Sequence, residues 1–151
     1  MIIDEPVRDR EQRKRDALRR LENDEDVWVA TASAAGEPLL VPLSFVWDDG
    51  TLLMSTRRTT PTARNLTPRG RVRLSLGHTR DVVLVDGVAE AIEGRDLPGA
   101  SADAFAAKLG WDPRDREQWI YLRVMPRTVK AWREVEELPD RLLMRDGTWL
   151  V

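Results

Sequence analysis

The run Ser55-Thr56-Arg57-Arg58-Thr59-Thr60 places four hydroxyls and two guanidinia directly ahead of Pro61. Pro61 suits a first helical position and Thr60 an N-cap, so the run leads into a helix N-terminus. Free backbone N–H groups and the positive end of a helix dipole favour an anion there, and guanidinia add charge-assisted hydrogen bonds. Phosphate binding is the chemistry these residue types predict; a plain capped helix with two solvated arginines is the alternative that the residues leave open. Little else in the chain is reactive. There is one histidine, His78, and no cysteine, which excludes disulfides, thiolate catalysis and cysteine-ligated metals. No nucleophile–base pair, glycine-rich nucleotide loop or metal-spaced acidic cluster is visible, so any reaction would rely on a bound group.

Composition bounds the remainder. A length of 151 residues predicts one domain, spanning 1–151, with an N-terminal helical segment over 1–24 and a hairpin extension over 134–151. Hydrophobic residues make up 42% and charged residues 33%, a globular balance. The formal net charge of -2 gives no global attraction to nucleic acid, and the acids Asp9, Glu11 and Asp16 interrupt the basic residues of the first helix. No apolar run approaches the roughly 20 residues of a membrane span. Met1-Ile2-Ile3-Asp4-Glu5 lacks a basic-then-apolar leader pattern, so a cytoplasmic protein with no membrane or nucleic-acid partner is expected. The 21 arginines against 3 lysines fit a G+C-rich codon bias, and also a need for guanidinia that grip phosphate or carboxylate.

The elements that must position these residues follow from periodicity. Val7 to Asn23 reads as a solvated helix packed only by its last turn. Strands are expected over Val27–Ala32, Leu39–Trp47, Thr51–Thr56, Arg71–Leu76, Asp81–Ile92 and Trp119–Met125, the last continuing past Pro126 through Val129–Trp132. Asp48-Asp49-Gly50 and Arg145-Asp146-Gly147 are hairpin turns. Gly87 marks a bulge, and Pro42 an edge or a place where something other than a strand approaches. Ser101 is expected to cap a helix that Gly110 closes. Trp28 and Trp47 fall among strand core positions. Trp111 and Trp119 would anchor the second helix, and Trp132 and Trp149 pack late in the chain. The pattern is mainly β with helices (α+β), an antiparallel barrel.

The series Val27-Trp28-Val29-Ala30-Thr31-Ala32-Ser33, Gly36-Glu37-Pro38, Pro42-Leu43-Ser44-Phe45-Val46-Trp47, Leu53-Met54-Ser55-Thr56 and Ala63-Arg64-Asn65-Leu66 resembles the pyridoxamine 5'-phosphate oxidase-like superfamily, nearest its flavin and deazaflavin oxidoreductase branch B. The resemblance covers roughly residues 20 to 133. It implies a six-stranded split β-barrel of the FMN-binding type, a homodimer, and FMN or the deazaflavin coenzyme F-420 at the subunit interface. It implies that the cofactor ring rests on Val41, Pro42, Leu43 and Ser44. It places phosphate by Ser55, Thr56, Arg57, Arg58, Thr60, Pro61 and Thr62. Relatives usually carry Ser-Arg-Lys where this chain has Thr60, Pro61 and Thr62. True pyridoxamine phosphate oxidation is therefore not expected, and Arg57 or Arg58 would have to replace the missing cations. A deazaflavin with its acidic tail would suit the further arginines Arg69, Arg71, Arg73 and Arg80.

The function so implied is an oxidoreductase. A reduced deazaflavin or FMN would pass a hydride to an activated C=C or C=N bond of a small molecule, with a proton from Ser44, Tyr121 or water. A cofactor carrier without turnover, or a barrel kept as a dimeric scaffold, is the alternative.

Overall fold

The computed structural model describes residues 6–151. The segment 1–5, on which the expected absence of a leader rests, lies outside the described residues. Helix α1 spans Arg10–Asn23 and is capped by Asp9, whose carboxylate accepts from Gln12 N. Eight strands and two further helices follow: β1 Asp26–Ala32, β2 Pro38–Asp48, β3 Thr51–Arg57, α2 Pro61–Leu66, β4 Arg69–His78, β5 Asp81–Ile92, α3 Gly99–Leu109, β6 Trp119–Trp132, β7 Leu142–Arg145 and β8 Thr148–Trp149. The order β3-β2-β1-β4-β5-β6 closes because β6 pairs with β3 as well as β5. The result is a six-stranded antiparallel barrel, extended beyond β6 by the β7–β8 hairpin. No helix among the described residues is long and apolar enough to cross a membrane.

Turn chemistry sets the hairpins. Asp49-Gly50 and Asp146-Gly147 all have positive φ, between 50° and 78°, as a two-residue type I′ turn requires. The β5–β6 register shifts between Asp86 and Gly87: Gly87 faces Pro126 and Asp86 faces Thr128, so Arg127 is the extra residue of a bulge. Proline thereby sits in a long strand without breaking it, and β6 runs on through Trp132 as the sequence predicts.

Period-two alternation fills the barrel with Val27, Val29, Phe45, Leu52, Met54, Leu74, Val85, Leu122 and Val124. A second, smaller core lies on the outer wall, where Val46, Leu53 and Tyr121 meet Leu97, Ala102 and Phe105 beneath α3. Ser101 is not the cap of α3. The helix begins at Gly99, and the Ser101 hydroxyl donates instead to Asp48 Oδ2 at 2.6 Å, joining α3 to the β2–β3 hairpin.

Two expectations are corrected. Trp28 is 49% exposed, because Val27 and Val29 take the inward positions of β1 and leave the residue between them outside. Helix α1 is not a solvated rod. Arg8 and Arg13 are buried at 9% and 5% exposure, and they dock the N-terminal segment on the C-terminal one. The Arg8 guanidinium donates to Glu137 at 2.6 and 3.1 Å and to Asp16 at 3.0 Å. Arg13 and Arg10 donate to the carbonyls of Glu137 and Leu142, and Lys14 donates to that of Val151.

Candidate functional site

Between β2 and β3 the barrel's ladder stops partway along both strands. Strand β2 pairs with β1 over its whole first part, Pro38 to Ser44, but with β3 only from Phe45–Met54 to Asp48–Thr51. Continued in register, the β2–β3 ladder would join Ser44 to Ser55, Leu43 to Thr56 and Pro42 to Arg57. None of these pairs forms. On its other edge β3 pairs with β6 throughout, from Leu52–Val124 to Arg57–Trp119. The first half of β2 is therefore an edge facing an open seam. Pro42 is tolerated there because a proline costs no ladder bond at an edge. An edge strand also leaves alternate backbone N–H and C=O groups free to bond something other than a strand.

The sequence-predicted site residues flank this seam. Val41 and Leu43 point inward and pack on the barrel core, so only their main chain faces outward. Pro42 is exposed, and Ser44 is half-buried with its hydroxyl donating to Asp26 Oδ1 at 2.6 Å across the β1–β2 pair. Across the seam, Ser55 is buried and donates to Ile120 O at 2.9 Å. Thr56 lies 3.4 Å from the Thr60 hydroxyl. Thr60 caps α2 as expected, accepting from Ala63 N at 3.2 Å and donating to Arg57 O at 3.0 Å. Pro61 is exposed at the first turn of α2, and Thr62 is buried at 3%. The hydroxyls of Ser55 and Thr60 are thus engaged within the chain.

The two guanidinia part company. Arg58 makes a bidentate pair with Glu93 at 2.9 and 2.8 Å and donates to the carbonyls of Glu117 and Trp119. Its contact with Arg58 holds the Glu93 carboxyl below the usual carboxylate range. Arg58 therefore ties the ends of β3, β5 and β6 together. Arg57 is exposed and has no carboxylate partner among the described residues. It donates to Gln118 Oε1 at 2.9 Å and lies 5.2 Å above the Trp119 ring. Of the two, Arg57 is free to meet an anion.

The other candidates are engaged elsewhere, though Tyr121 is the ladder partner of Ser55. Tyr121 is 1% exposed under α3, edge-on to Phe105 with ring centroids 5.6 Å apart. Burial pushes its hydroxyl up to about 12, so Tyr121 is poorly placed to deliver a proton. Trp149 packs on the core beneath Lys14, and Trp132 lies under Arg141. Arg73 pairs with Asp86 and Arg80 with Glu134. Trp111 does anchor α3, stacking edge-on to both Phe105 and Trp119. Sequence reasoning missed Asp26, Glu93 and Gln118. Each meets its site residue across strands or from a loop, and no local spacing signals such a contact.

A closed six-stranded antiparallel barrel whose β2–β3 pair parts is a split β-barrel. A family model described as Pyridoxamine 5'-phosphate oxidase matches residues 15–136, and the chain belongs to that family. No curated protein matches the sequence significantly. Among solved structures, a FAD-binding protein from Mesorhizobium loti is 21% identical, with TM-score 0.62, over 78% of this chain and 90% of its own. An F420 reductase is 19% identical, with TM-score 0.58, over 72% and 91%. A heme-binding protein from Mycobacterium smegmatis is 17% identical, with TM-score 0.67, over 94% of this chain and 60% of its own. At these identities the likeness is one of fold.

Proposed function

We propose that the chain is an oxidoreductase that holds a flavin or deazaflavin along the β2–β3 seam and acts on a small molecule. The observation that carries this reading is the parted ladder, with a main-chain edge at Pro42–Ser44 that β3 does not pair on one side and, on the other, Arg57, which has no carboxylate partner among the described residues. The donor set fits the group. A flat ring with hydrogen-bonding edges suits an apolar strand edge with free backbone groups. A phosphate suits a guanidinium that has no carboxylate partner. When bound, the cofactor would supply the hydride for an activated C=C or C=N bond. The chain's own residues bind and orient: main chain from Val41 to Ser44 supports the ring, and Arg57 holds the phosphate.

Pro61 and Thr62 stand where relatives carry two cations, so one guanidinium must do work that is usually shared. This favours the deazaflavin over FMN. It also argues against pyridoxamine phosphate as the substrate.

A homodimer belongs to the same reading. The outer face of β1 and β2 exposes Trp28 at 49% and Leu40 at 61%, flanked by exposed Pro38 and Pro42. Apolar residues massed beside the seam suit a second copy that would cover them and close the cofactor site. A carrier without turnover is a second reading. It is favoured by the Ser44 hydroxyl being spent on Asp26 and by the depth of Tyr121.

Parallel fluorescence titrations with FMN and coenzyme F-420 test the proposal. Saturable binding of either is expected, the deazaflavin the tighter. Binding of neither, or haemin outcompeting both, overturns it. Oxidation of the bound reduced cofactor on adding an electron-poor alkene or imine separates enzyme from carrier.

A further inference from the structure

A groove of about 720 Å³ opens at the end of the barrel where β3, β5 and β6 meet, lined from residues 57–59, 93–95 and 114–119. Its size is that of a small-molecule site. Two arginines build its walls and are neutralised in doing so. Arg58 locks the first wall to Glu93, and Arg114 locks the second to Asp112 at 2.8 Å and Asp103 at 2.7 Å. The walls touch at Gly94, where a side chain has no room: a Cβ would lie 2.0 Å from the Arg114 carbonyl oxygen. The groove is thus held by specific contacts on both sides.

Three more arginines line the same groove, Arg57, Arg95 and Arg116, and none has a carboxylate within ion-pair distance among the described residues. Among the described residues eleven other arginines make such pairs and seven do not, so what marks the groove is that three unpaired ones line it together. Three unpaired like charges around one opening repel one another, and the acids Asp115 and Glu117 of the same lining offset two of them, which leaves a net attraction for an anion. The exposed acids Asp115 and Glu117 stand on the rim, so the groove does not simply attract any negative charge.

We propose that this groove binds a small polyanion, a molecule with two or more phosphate or carboxylate groups, held between Arg57, Arg95 and Arg116. Guanidinia suit both groups because each accepts a two-pronged hydrogen bond. The groove lies on the β6 side of β3, away from the seam, and of its three unpaired arginines only Arg57 also belongs to the cofactor reading. Arg95 and Arg116 belong to the groove alone.

The test is calorimetric titration of the full chain at low salt with pyrophosphate and, separately, citrate, alongside titrations with FMN and coenzyme F-420. One site per chain is expected for at least one of the two probes, and the stronger names the group that the groove prefers. Arg95→Ala and Arg116→Ala should each weaken that binding about five- to tenfold, a fraction of a full charge-assisted contact because the groove is open. Both should leave FMN affinity unchanged. Asp115→Asn should tighten polyanion binding, and Arg71→Ala, which removes an exposed arginine on β4, should not alter it. Binding of neither probe overturns the proposal. So does an equal loss in Arg71→Ala, which would mean diffuse surface attraction. Failure of both FMN and coenzyme F-420 to bind, with the polyanion result intact, overturns the cofactor reading alone.

Discussion

The two ends of β5 use arginine in opposite ways. Beside Asp81, at its start, Arg20 and Arg133 pair with that carboxylate, and Arg133 also reaches Asp16, the partner of Arg8. Arg8 and Glu137 lie deepest, with side chains 7% and 4% exposed. Beyond Ile92, at the other end, Arg58 and Arg114 are paired, but Arg57, Arg95 and Arg116 are not. Buried and paired guanidinia fix the chain's own termini to each other. Exposed guanidinia without carboxylates are free for something else. Residue type alone does not separate the two uses; the position of the nearest carboxylate does.

The largest expected effect breaks the first of these regions. Burial pushes the Glu137 carboxyl up, but hydrogen bonds from Arg8 and the Arg133 N–H overcome this and hold it at about 2. Its folded value lies below its ordinary one. The stability it contributes is therefore complete above about pH 4.5 and is lost as pH falls through about 2. Glu137→Gln leaves Arg8 buried beside a neutral partner and should cost about 3 kcal/mol. Urea unfolding at pH 7 measures that loss, and the variant's stability should then vary less than wild type between pH 5 and 2. An unchanged midpoint would show the buried pair to be neutral.

Trp28→Asp combined with Leu40→Asp should turn a dimer into a monomer of 17.3 kDa in light scattering, with the fold intact because both side chains are exposed. A wild-type protein that is already monomeric at micromolar concentration would remove the interface from the account.

A smaller effect sharpens the second region. Arg58→Ala releases Glu93 and the carbonyls of Glu117 and Trp119. It should lower the thermal midpoint by about 2–4 °C, the scale of a half-exposed bidentate pair. Arg57→Ala should leave the midpoint within about 1 °C, since an exposed arginine contributes little to folding. Equal shifts would mean that the two neighbours do the same work.

Much of the fold was legible because local rules decided it. Asp81–Ile92 is the observed extent of β5, the Gly87 register shift falls where the glycine marks it, and Thr60 and Gly110 cap the helices they were expected to cap. The failures share one cause, which is that distant partners decided the outcome. Val27-Trp28-Val29 is apolar throughout, so its inward phase is set by β2 and β4 rather than by composition. Arg8 finds its carboxylate 129 residues away, beyond any spacing argument. At the candidate site, Pro42 signalled the edge correctly. That β3 would stay paired with β6 as far as Arg57 while parting from β2 after Met54 depends on pairing across more than sixty residues of chain. The hydroxyls of Ser55 and Thr60 looked available only because their internal partners are not written beside them.

The most direct test of the cofactor site compares wild type, Arg57→Ala and Arg58→Ala in one titration series with coenzyme F-420 and FMN at matched salt. Arg57→Ala should weaken binding at least about tenfold with an unchanged thermal midpoint, as expected when a charge-assisted phosphate contact is lost. Arg58→Ala should act mainly on stability. Wild-type affinity in Arg57→Ala, with Arg58→Ala alone impaired, would contradict the assignment of Arg57 as the phosphate anchor at the seam.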